Sequence, residues 1–184
     1  MKTVHYESVI RFETGGVVVK TYRDDCECIR WLNRHLARYY DPAKGQPVAQ
    51  HEFAALRFLE PCGFVPKPLR LDHGSIAMEY AGVPVSPRSE VSLDEYRRQC
   101  QSILATFAKL GFRHNDLLPG NVLVHHGRIK IIDFTLAEFD AVEIAGNLPD
   151  PDWARLGQDQ ALLTYAPRPG LMTKLARLLR YKSP

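Results

Sequence analysis

The segment from Phe112 to Ala137 constrains the fold more than any other part of the chain. Two short apolar runs, Asn121–Val124 and Ile129–Ile132, flank a His126-Gly127 pair. Apolar runs of this length around a glycine-containing turn predict a β-hairpin. The segment is therefore expected to form two paired, buried strands.

Three polar side chains lie at one end of this predicted hairpin. Asp116 precedes the first strand, Asn121 begins it, and Asp133 comes directly after the second strand. Because a hairpin brings the start of its first strand beside the end of its second, these side chains should converge. Two carboxylates and an amide can hold Mg²⁺, which prefers oxygen ligands, and can also orient a hydroxyl group.

The same residues resemble the motifs of the protein-kinase-like superfamily. His114-Asn115-Asp116 followed by Asn121 resembles its H-x-D-x-x-x-x-N catalytic loop, and Asp133-Phe134-Thr135 resembles its metal-binding Asp-Phe-Gly, with Thr in place of Gly. The resemblance implies an α+β, compact two-lobed protein-kinase-like fold with a small N-terminal sheet lobe and a shortened helical C-terminal lobe. We expect one domain over residues 1–184, with the N-lobe at about 1–80 and the C-lobe at about 83–184.

A lysine lies inside the second of two predicted N-terminal strands. His5–Phe12 and Val17–Tyr22 flank the turn Glu13–Gly16, and Lys20 belongs to the second run. A lysine in such a run either faces solvent or reaches a bound phosphate. Because the downstream motifs are present, Lys20 matches the lysine that the superfamily uses on the nucleotide phosphates.

Two helices are predicted after these strands, at Cys26–Tyr40 and Val48–Glu60. In kinase-like folds a helix glutamate pairs with the strand lysine, and the resemblance makes Glu52 the first choice for that role. Glu27 is the alternative, although it follows Lys20 too closely to reach back easily. A glutamate near a helix start is also favoured by the helix dipole, so Glu52 could instead be an exposed residue.

The run Ser75–Tyr80 predicts a strand after the proline-rich connector Pro61–Pro68. This strand resembles the one that leads into the linker between the two lobes of kinases. By that resemblance, Met78 lines the adenine pocket, and backbone groups of Glu79 and Ala81 hydrogen-bond the base.

Ser92 and Glu95 form a capping box that predicts the start of a long helix, and Gly111 marks its end. Apolar residues at helical spacing predict a buried stripe of Leu93, Tyr96, Cys100, Ile103, Leu104, Phe107 and Leu110. We expect this helix to support the hairpin and to take no part in the chemistry.

The net charge of +3 arises from the C-terminal end of the chain. The last 20 residues contain five basic residues and no acidic residue. A helix predicted at Leu171–Tyr181 has an apolar face and a basic face, so it rests on an anionic membrane surface or packs on the C-lobe. Another helix is predicted at Asp152–Tyr165.

Composition argues against several other classes of protein. No apolar run is long enough to span a bilayer and Met1–Thr3 does not open a signal peptide, so a cytoplasmic location is expected. The four cysteines lack paired metal spacing and are interpreted as reduced thiols. The basic tail lacks an aromatic–basic surface pattern, so no nucleic-acid partner is expected.

Three features depart from the pattern of typical protein kinases. No glycine-rich loop lies near residue 5, where counting back from Lys20 would place it. Asn115 replaces the usual arginine of the catalytic loop, so control by a phosphorylated activation loop is not expected. Leu118 replaces the lysine that many protein kinases carry there. The chain therefore differs from typical Ser/Thr and Tyr protein kinases.

A finer resemblance is to the lipopolysaccharide core (Kdo/heptose) kinase family. It rests on the helix Glu52–Glu60, the connector Gly63–Pro68 and the run Asn115–Val124, and it extends from Val17 to Leu163. It implies ATP and Mg²⁺ as cofactors and a glycolipid acceptor, whose sugar hydroxyl takes the γ-phosphate at the cytoplasmic face of the inner membrane. The enzyme would then be peripheral on that membrane.

Roles for the individual residues follow from the same resemblance. Asn121 and Asp133 hold the metal, and Lys20, aimed by Glu52, acts on the nucleotide phosphates. Asp116 orients or accepts the proton of the attacking hydroxyl.

Three other interpretations of the sequence remain open. A compact atypical (RIO-like) protein kinase would phosphorylate itself or a protein partner. An aminoglycoside-type phosphotransferase would act on a small molecule, although its acceptor domain is usually larger than this chain allows. A pseudokinase would keep the fold as a binding module, which the missing glycine-rich loop favours.

Overall fold

The computed structural model of the protein describes residues 2–4, 7–86 and 89–148. Its N-terminal strands are β1 Lys2–Val4, β2 Ser8–Glu13, β3 Val17–Tyr22, β4 Pro68–Asp72 and β5 Ser75–Glu79. They form one antiparallel sheet in the order β1-β2-β3-β5-β4. Since β3 is paired on both sides, Lys20 lies in the middle of the sheet.

The predicted hairpin around Glu13–Gly16 is confirmed, with Glu13 opposite Val17. Its first strand begins at Ser8 instead of His5, and residues 5 and 6 lie outside the described part of the chain. The sequence analysis missed β4, because this strand is short and begins in the proline-rich connector, where proline argues against a strand.

Helix α1 spans Glu27–Leu36, and helix α2 spans Pro47–Leu59. The prediction extended α1 to Tyr40, but residues 37–39 form turns after the helix ends. Pro47 occupies the first turn of α2, where a proline costs no hydrogen bond. This helix is buried on several sides, and Glu52 is only 1% exposed, so the alternative of an exposed Glu52 is wrong.

The predicted hairpin in the second half of the chain is confirmed. Strands β7 (Val122–His125) and β8 (Arg128–Ile131) pair antiparallel, and the two-residue strand β6 (Val83–Pro84) lies on the other side of β7. His126 and Gly127 have φ angles of 47° and 70°, the left-handed conformation of a tight hairpin turn. The sequence analysis missed β6, since two residues carry no periodic pattern.

Helix α3 spans Leu93–Leu110 and has the predicted ends. The Ser92 hydroxyl accepts a hydrogen bond from the Glu95 amide at 3.2 Å, and Gly111 ends the helix with a φ of 64°. The centre of the predicted stripe is buried, but its two ends, Leu93 and Leu110, are 41% and 39% exposed.

A continuous apolar core connects both sheets and the three helices. Within it, the ring of Phe112 packs against those of Phe134 and Phe139, with centroids 5.8 Å and 5.5 Å apart. Phe134 directly follows Asp133, and Phe112 precedes the loop that carries Asp116. Aromatic packing in the core therefore helps to fix the positions of the Asp116 loop and of the Asp133 segment.

The α+β class and the N-terminal sheet agree with the prediction. In residues 2–4, 7–86 and 89–148, no helix is long and apolar enough to cross a membrane. The predicted helices at Asp152–Tyr165 and Leu171–Tyr181 lie outside the described residues, so they stay predictions.

The linker between the two sheets yields a prediction about stability. Gly82 has a φ of 104°, and a Cβ atom there would clash with the carbonyl oxygen of Val124. We expect Gly82→Ala to lower the free energy of unfolding by about 3 kcal/mol, because backbone strain and a backbone clash add.

Gly15→Ala is the matched control for this prediction. Gly15 has a φ of 75°, but a Cβ atom there would meet nothing within 4 Å. Its cost should be only the conformational penalty of about 1 kcal/mol. Urea unfolding of both variants measures the difference, and equal losses would show that the close approach of Gly82 to Val124 is unimportant.

Candidate active site

The side chain of Lys20 joins three separate segments of the chain. Its Nζ atom lies 2.7 Å from Oε2 of Glu52 on α2 and 2.9 Å from Oδ1 of Asp133, which follows β8. The Lys20 side chain is only 8% exposed. The structure thus brings together three residues that the sequence analysis selected, whereas Glu27, the alternative partner, lies exposed at the start of α1.

Electrostatics keep this lysine charged although it is buried. Burial alone lowers the pKa of Lys20, but the carboxylates of Asp133 and Glu52 outweigh it and hold that pKa above its ordinary value. Burial likewise raises the pKa of Asp133, but Lys20 more than compensates and the pKa is lowered. Burial raises the pKa of Glu52, and the Lys20 ammonium at 2.7 Å lowers it by a smaller amount, so that pKa lies above its ordinary value.

Tyr22 is a part of this cluster that sequence reasoning missed. Its hydroxyl donates a hydrogen bond to Oε2 of Glu52, and Nζ of Lys20 lies 5.0 Å from the centroid of its ring. A tyrosine at the end of a strand is usually read as a core residue. The signal that could have found it is its position two residues after Lys20, which places both side chains on one face of β3.

Asp116 and Asn121 form a second pair within the loop before β7. The amide of Asn121 donates to the backbone oxygen of Asp116 at 2.8 Å and to its Oδ2 at 2.9 Å. Oδ1 of Asp116 is buried and has no hydrogen-bond partner in the structure as described. An unpartnered buried oxygen is uncommon and costly, so it marks a place where a donor can bind.

The environment of Asp116 favours its protonated form. Burial, followed by the nearby charge of Asp133, raises the pKa of Asp116 to about 7. A carboxyl group with such a pKa can take up or release a proton near neutral pH, as a general base must do.

His114 supports this loop from within the core. It is fully buried, and its Nε2 donates to the carbonyl oxygen of Ile132 at 3.0 Å, because a carbonyl can only accept. Its Nδ1 then accepts from the amide of Asp116 at 3.2 Å. His114 therefore connects the backbone just before Asp133 to the backbone at Asp116.

The threonine that replaces the expected glycine also has a contact. The Thr135 hydroxyl donates to Oδ1 of Asp133 at 3.2 Å. Asp133 itself has a φ of 66°, a strained conformation for a non-glycine residue that often occurs at functional sites. Thr135 therefore helps to hold a strained aspartate, a role that the motif comparison did not indicate.

Two side-chain oxygen atoms at the site are not used by the hydrogen bonds described above and are suited to bind a metal ion. Lys20 and Thr135 both bind Oδ1 of Asp133, and Asn121 uses its amide nitrogen, so Oδ2 of Asp133 and Oδ1 of Asn121 could ligate Mg²⁺. Among the described residues, no group of three or more His, Cys, Asp or Glu side chains could hold a metal ion alone.

The predicted adenine-contacting residues lie at the end of β5 and just after it. Met78 is buried opposite Val18 of β3, and Ala81 is buried in the linker. The amide of Glu79 donates to the carbonyl oxygen of Lys67 at 2.9 Å. Any contact of Glu79 with a base would therefore use its carbonyl oxygen.

Strand order, the buried lysine–glutamate pair and the two converging aspartates define a compact protein-kinase-like fold. The model of the RIO domain family matches residues 9–140, and the chain belongs to this family. The finer resemblance to lipopolysaccharide core kinases receives no support from this match, which agrees instead with the RIO-like alternative. Among curated proteins, none matches the chain.

Solved structures show the same fold. The Rio2 kinase from Chaetomium thermophilum, in a complex with ADP/Mg²⁺ and phosphoaspartate, has a TM-score of 0.56 and 18% identity; the match covers 100% of this chain and 57% of the other. A second structure of Rio2 kinase from that organism has a TM-score of 0.56 and 20% identity. That match covers 89% of this chain and 54% of the other. The chain thus spans just over half the length of these structures.

The raised pKa of Asp116 leads to a pH-dependent prediction. Its pKa of about 7 in the folded protein exceeds the ordinary 3.8, so the folded state binds this proton more tightly. The contribution of Asp116 to stability therefore falls as the pH rises across that window. We expect Asp116→Asn, which cannot ionise, to lose less stability than the wild type between about pH 5 and pH 8.

Urea unfolding without nucleotide at both pH values tests this expectation. Asp72→Asn is the control, since Asp72 is an exposed aspartate on β4 whose side chain pairs with Arg70. If the Asp116 variant followed the same pH profile as the wild type, the aspartate would not titrate in this range.

Proposed function

We propose that the protein is an ATP- and Mg²⁺-dependent kinase of the RIO type, which transfers the γ-phosphoryl group to a hydroxyl of a protein, including its own chain. The observation that carries this proposal is the buried Lys20, joined to both Glu52 and Asp133. Stability alone does not explain this arrangement, because a buried ion pair seldom stabilises a fold more than apolar residues of the same volume would. It does pre-organise a positive charge beside a carboxylate that can bind metal.

Nucleotide binding is assigned to residues in the first half of the chain. Lys20 would neutralise phosphate oxygens, held in place by Glu52. Met78 would line the adenine pocket, and backbone groups of Glu79 and Ala81 would contact the base. The ADP/Mg²⁺ in the similar Rio2 structure supports a nucleotide and Mg²⁺ as the ligands of such a site.

The metal would be held by the free oxygens of Asn121 and Asp133. Bound Mg²⁺ supplies positive charge that offsets the charge developing on the transferred group. Thr135 would keep Asp133 oriented through its hydrogen bond to Oδ1. Asn121 has two tasks in this proposal, because its amide group also orients Asp116.

Asp116 would orient the attacking hydroxyl and accept its proton. Asn121 binds Oδ2, so Oδ1 of Asp116, which has no hydrogen-bond partner among the described residues, would be the atom that accepts from the hydroxyl. A raised pKa makes this carboxylate a stronger base than an ordinary aspartate. Since phosphoryl transfer needs mainly positioning and charge neutralisation, no further nucleophile on the protein is required.

The choice of acceptor rests on the family. Membership of the RIO domain family favours a protein hydroxyl over a lipopolysaccharide sugar, so the glycolipid acceptor and peripheral membrane binding through Leu171–Tyr181 are the weaker interpretation. A cytoplasmic location and a single kinase-like domain over residues 1–184 stay predictions.

A non-catalytic pseudokinase is the second candidate function, and one observation favours it. The segment between β1 and β2 contains no glycine, since residues 5–7 are His-Tyr-Glu. A segment without glycine adopts less readily the backbone conformations whose amides bind phosphates. Nucleotide binding therefore has to be measured before catalysis is assumed.

Calorimetric titration of MgATP tests the nucleotide site. We expect the wild type to bind and Asp133→Asn to bind at least about tenfold more weakly, because a metal ligand is lost. Asp72→Asn, the same change at the exposed site, should bind like the wild type. Absence of binding by the wild type at millimolar nucleotide would favour the pseudokinase.

Transfer of labelled phosphate tests the catalytic assignment. We expect Asp116→Asn to lower kcat by about 10²- to 10⁴-fold while MgATP affinity stays near the wild-type value, because the proton acceptor is lost and the metal ligands remain. The acceptors compared are the chain itself, a generic protein and a core glycolipid. Full activity of the variant would contradict the assignment, and labelling of the glycolipid alone would overturn the proposed acceptor.

A further inference from the structure

Two buried side chains outside the proposed chemistry hold consecutive backbone carbonyls. The Leu136 carbonyl accepts from Nδ2 of Asn115 at 2.9 Å, and the Ala137 carbonyl accepts from Nε2 of His51 at 2.9 Å. Ala137 is fully buried, as is His51, and Asn115 is 5% exposed. We call these two side chains and two carbonyls the carbonyl clasp.

The direction of the His51 hydrogen bonds follows from its partners. A carbonyl can only accept, so Nε2 of His51 carries the proton, and the Tyr40 hydroxyl then donates to Nδ1 at 3.0 Å. The ring also stacks on Phe139, with centroids 5.4 Å apart and an interplanar angle of 23°. His51 is thus held in one orientation by both nitrogens and by its face.

The backbone at Asn115 explains why this residue type suits the position. Its φ is 64°, a left-handed conformation that asparagine tolerates better than most residues. The amide nitrogen reaches Leu136 from this conformation. The next carbonyl along the chain, that of Glu138, is held as well, since it accepts from the Arg113 amide at 2.9 Å.

Each side chain of the clasp is covalently adjacent to a carboxylate of the site. His51 precedes Glu52 on α2, and Asn115 precedes Asp116 in its loop. The carbonyls that they hold lie three and four residues after Asp133. The clasp therefore ties the three acidic segments of the site to one another at a single point of the backbone.

We propose that His51 and Asn115 are positioning residues, which set the distance of Asp133 from Glu52 and Asp116 by holding the carbonyls of Leu136 and Ala137. The inference rests on the proposed function for its catalytic consequence. The clasp would hold the site residues in place even when the segment after Asp133 carries no covalent modification such as a phosphate. In this role it acts through other residues and does not touch substrate.

The simpler explanation is that these side chains only satisfy buried carbonyls. His35 on α1 provides the matched control, because it is also a buried histidine bonded to a carbonyl of the same segment, that of Glu143 at 2.6 Å. It neighbours no acidic residue of the site. A purely structural role predicts the same behaviour for His35 and His51 variants.

The test compares His51→Leu, His51→Gln, Asn115→Gly and His35→Leu in the full chain. Gln keeps a donor near Nε2, and Gly keeps the left-handed backbone at 115 while it removes the amide. We expect His51→Leu and Asn115→Gly to lower kcat about tenfold or more per folded molecule, by analogy with the loss of other supporting hydrogen bonds. His51→Gln should recover most of this loss, and His35→Leu should destabilise the fold but leave kcat and KM unchanged.

Hydrogen exchange of the backbone amides gives a second result that does not depend on catalysis. The amides of Ala137 and Glu138 should exchange about tenfold faster in His51→Leu, as expected for the loss of one buried hydrogen bond, and at the wild-type rate in His51→Gln. His35→Leu should not change exchange at these two amides.

Each outcome has a defined meaning. Equal kinetic effects in His51→Leu and His35→Leu, or no recovery in His51→Gln, would overturn the positioning role. Unchanged exchange in His51→Leu would overturn the clasp itself. If the wild type has no kinase activity but the exchange pattern is as expected, the clasp stands and the proposed function fails.

Discussion

The structure depends most on how the buried charge of Lys20 is neutralised. Its ammonium group lies between carboxylates that are 32 and 113 residues away in the chain. A charge removed from water is costly unless it is paired and hydrogen-bonded, so β3, α2 and the Asp133 segment have to pack together. The Tyr22 hydroxyl donates a further hydrogen bond to Glu52, one of these two carboxylates.

Apolar and polar contacts contribute to the site in different ways. The aromatic rings of Phe112, Phe134 and Phe139 bury area and supply much of the driving force for packing, but apolar contacts have little directional preference. Hydrogen bonds from His114, Thr135 and the carbonyl clasp require defined geometry. The core therefore stabilises the fold, and the hydrogen bonds determine where the carboxylates lie.

Much of the secondary structure could be predicted because its causes are local. The His126-Gly127 turn and the Ser92 cap each depend on a few neighbouring residues, and both are confirmed. The strand β6 was missed, because its two residues form a strand only by pairing with β7, which is distant in sequence. The strand β4 pairs with the adjacent β5, but it was missed because it is short and begins in the proline-rich connector. Likewise Leu93 and Leu110 fit the apolar period of α3, yet the ends of this helix extend beyond the core that covers its centre.

By itself, the sequence determined the spacing of Asp116, Asn121 and Asp133 and the hairpin that makes them converge. Its short motifs could not choose between kinase families, since they are shared by the whole class; the match of residues 9–140 to the RIO domain family made that choice. Only the tertiary structure decided that Glu52 is buried against Lys20, that Tyr22 joins them, and that His51 holds the Ala137 carbonyl. The physical reason is that these contacts connect segments that are far apart in the chain, and no local pattern encodes which buried donor will meet which acceptor.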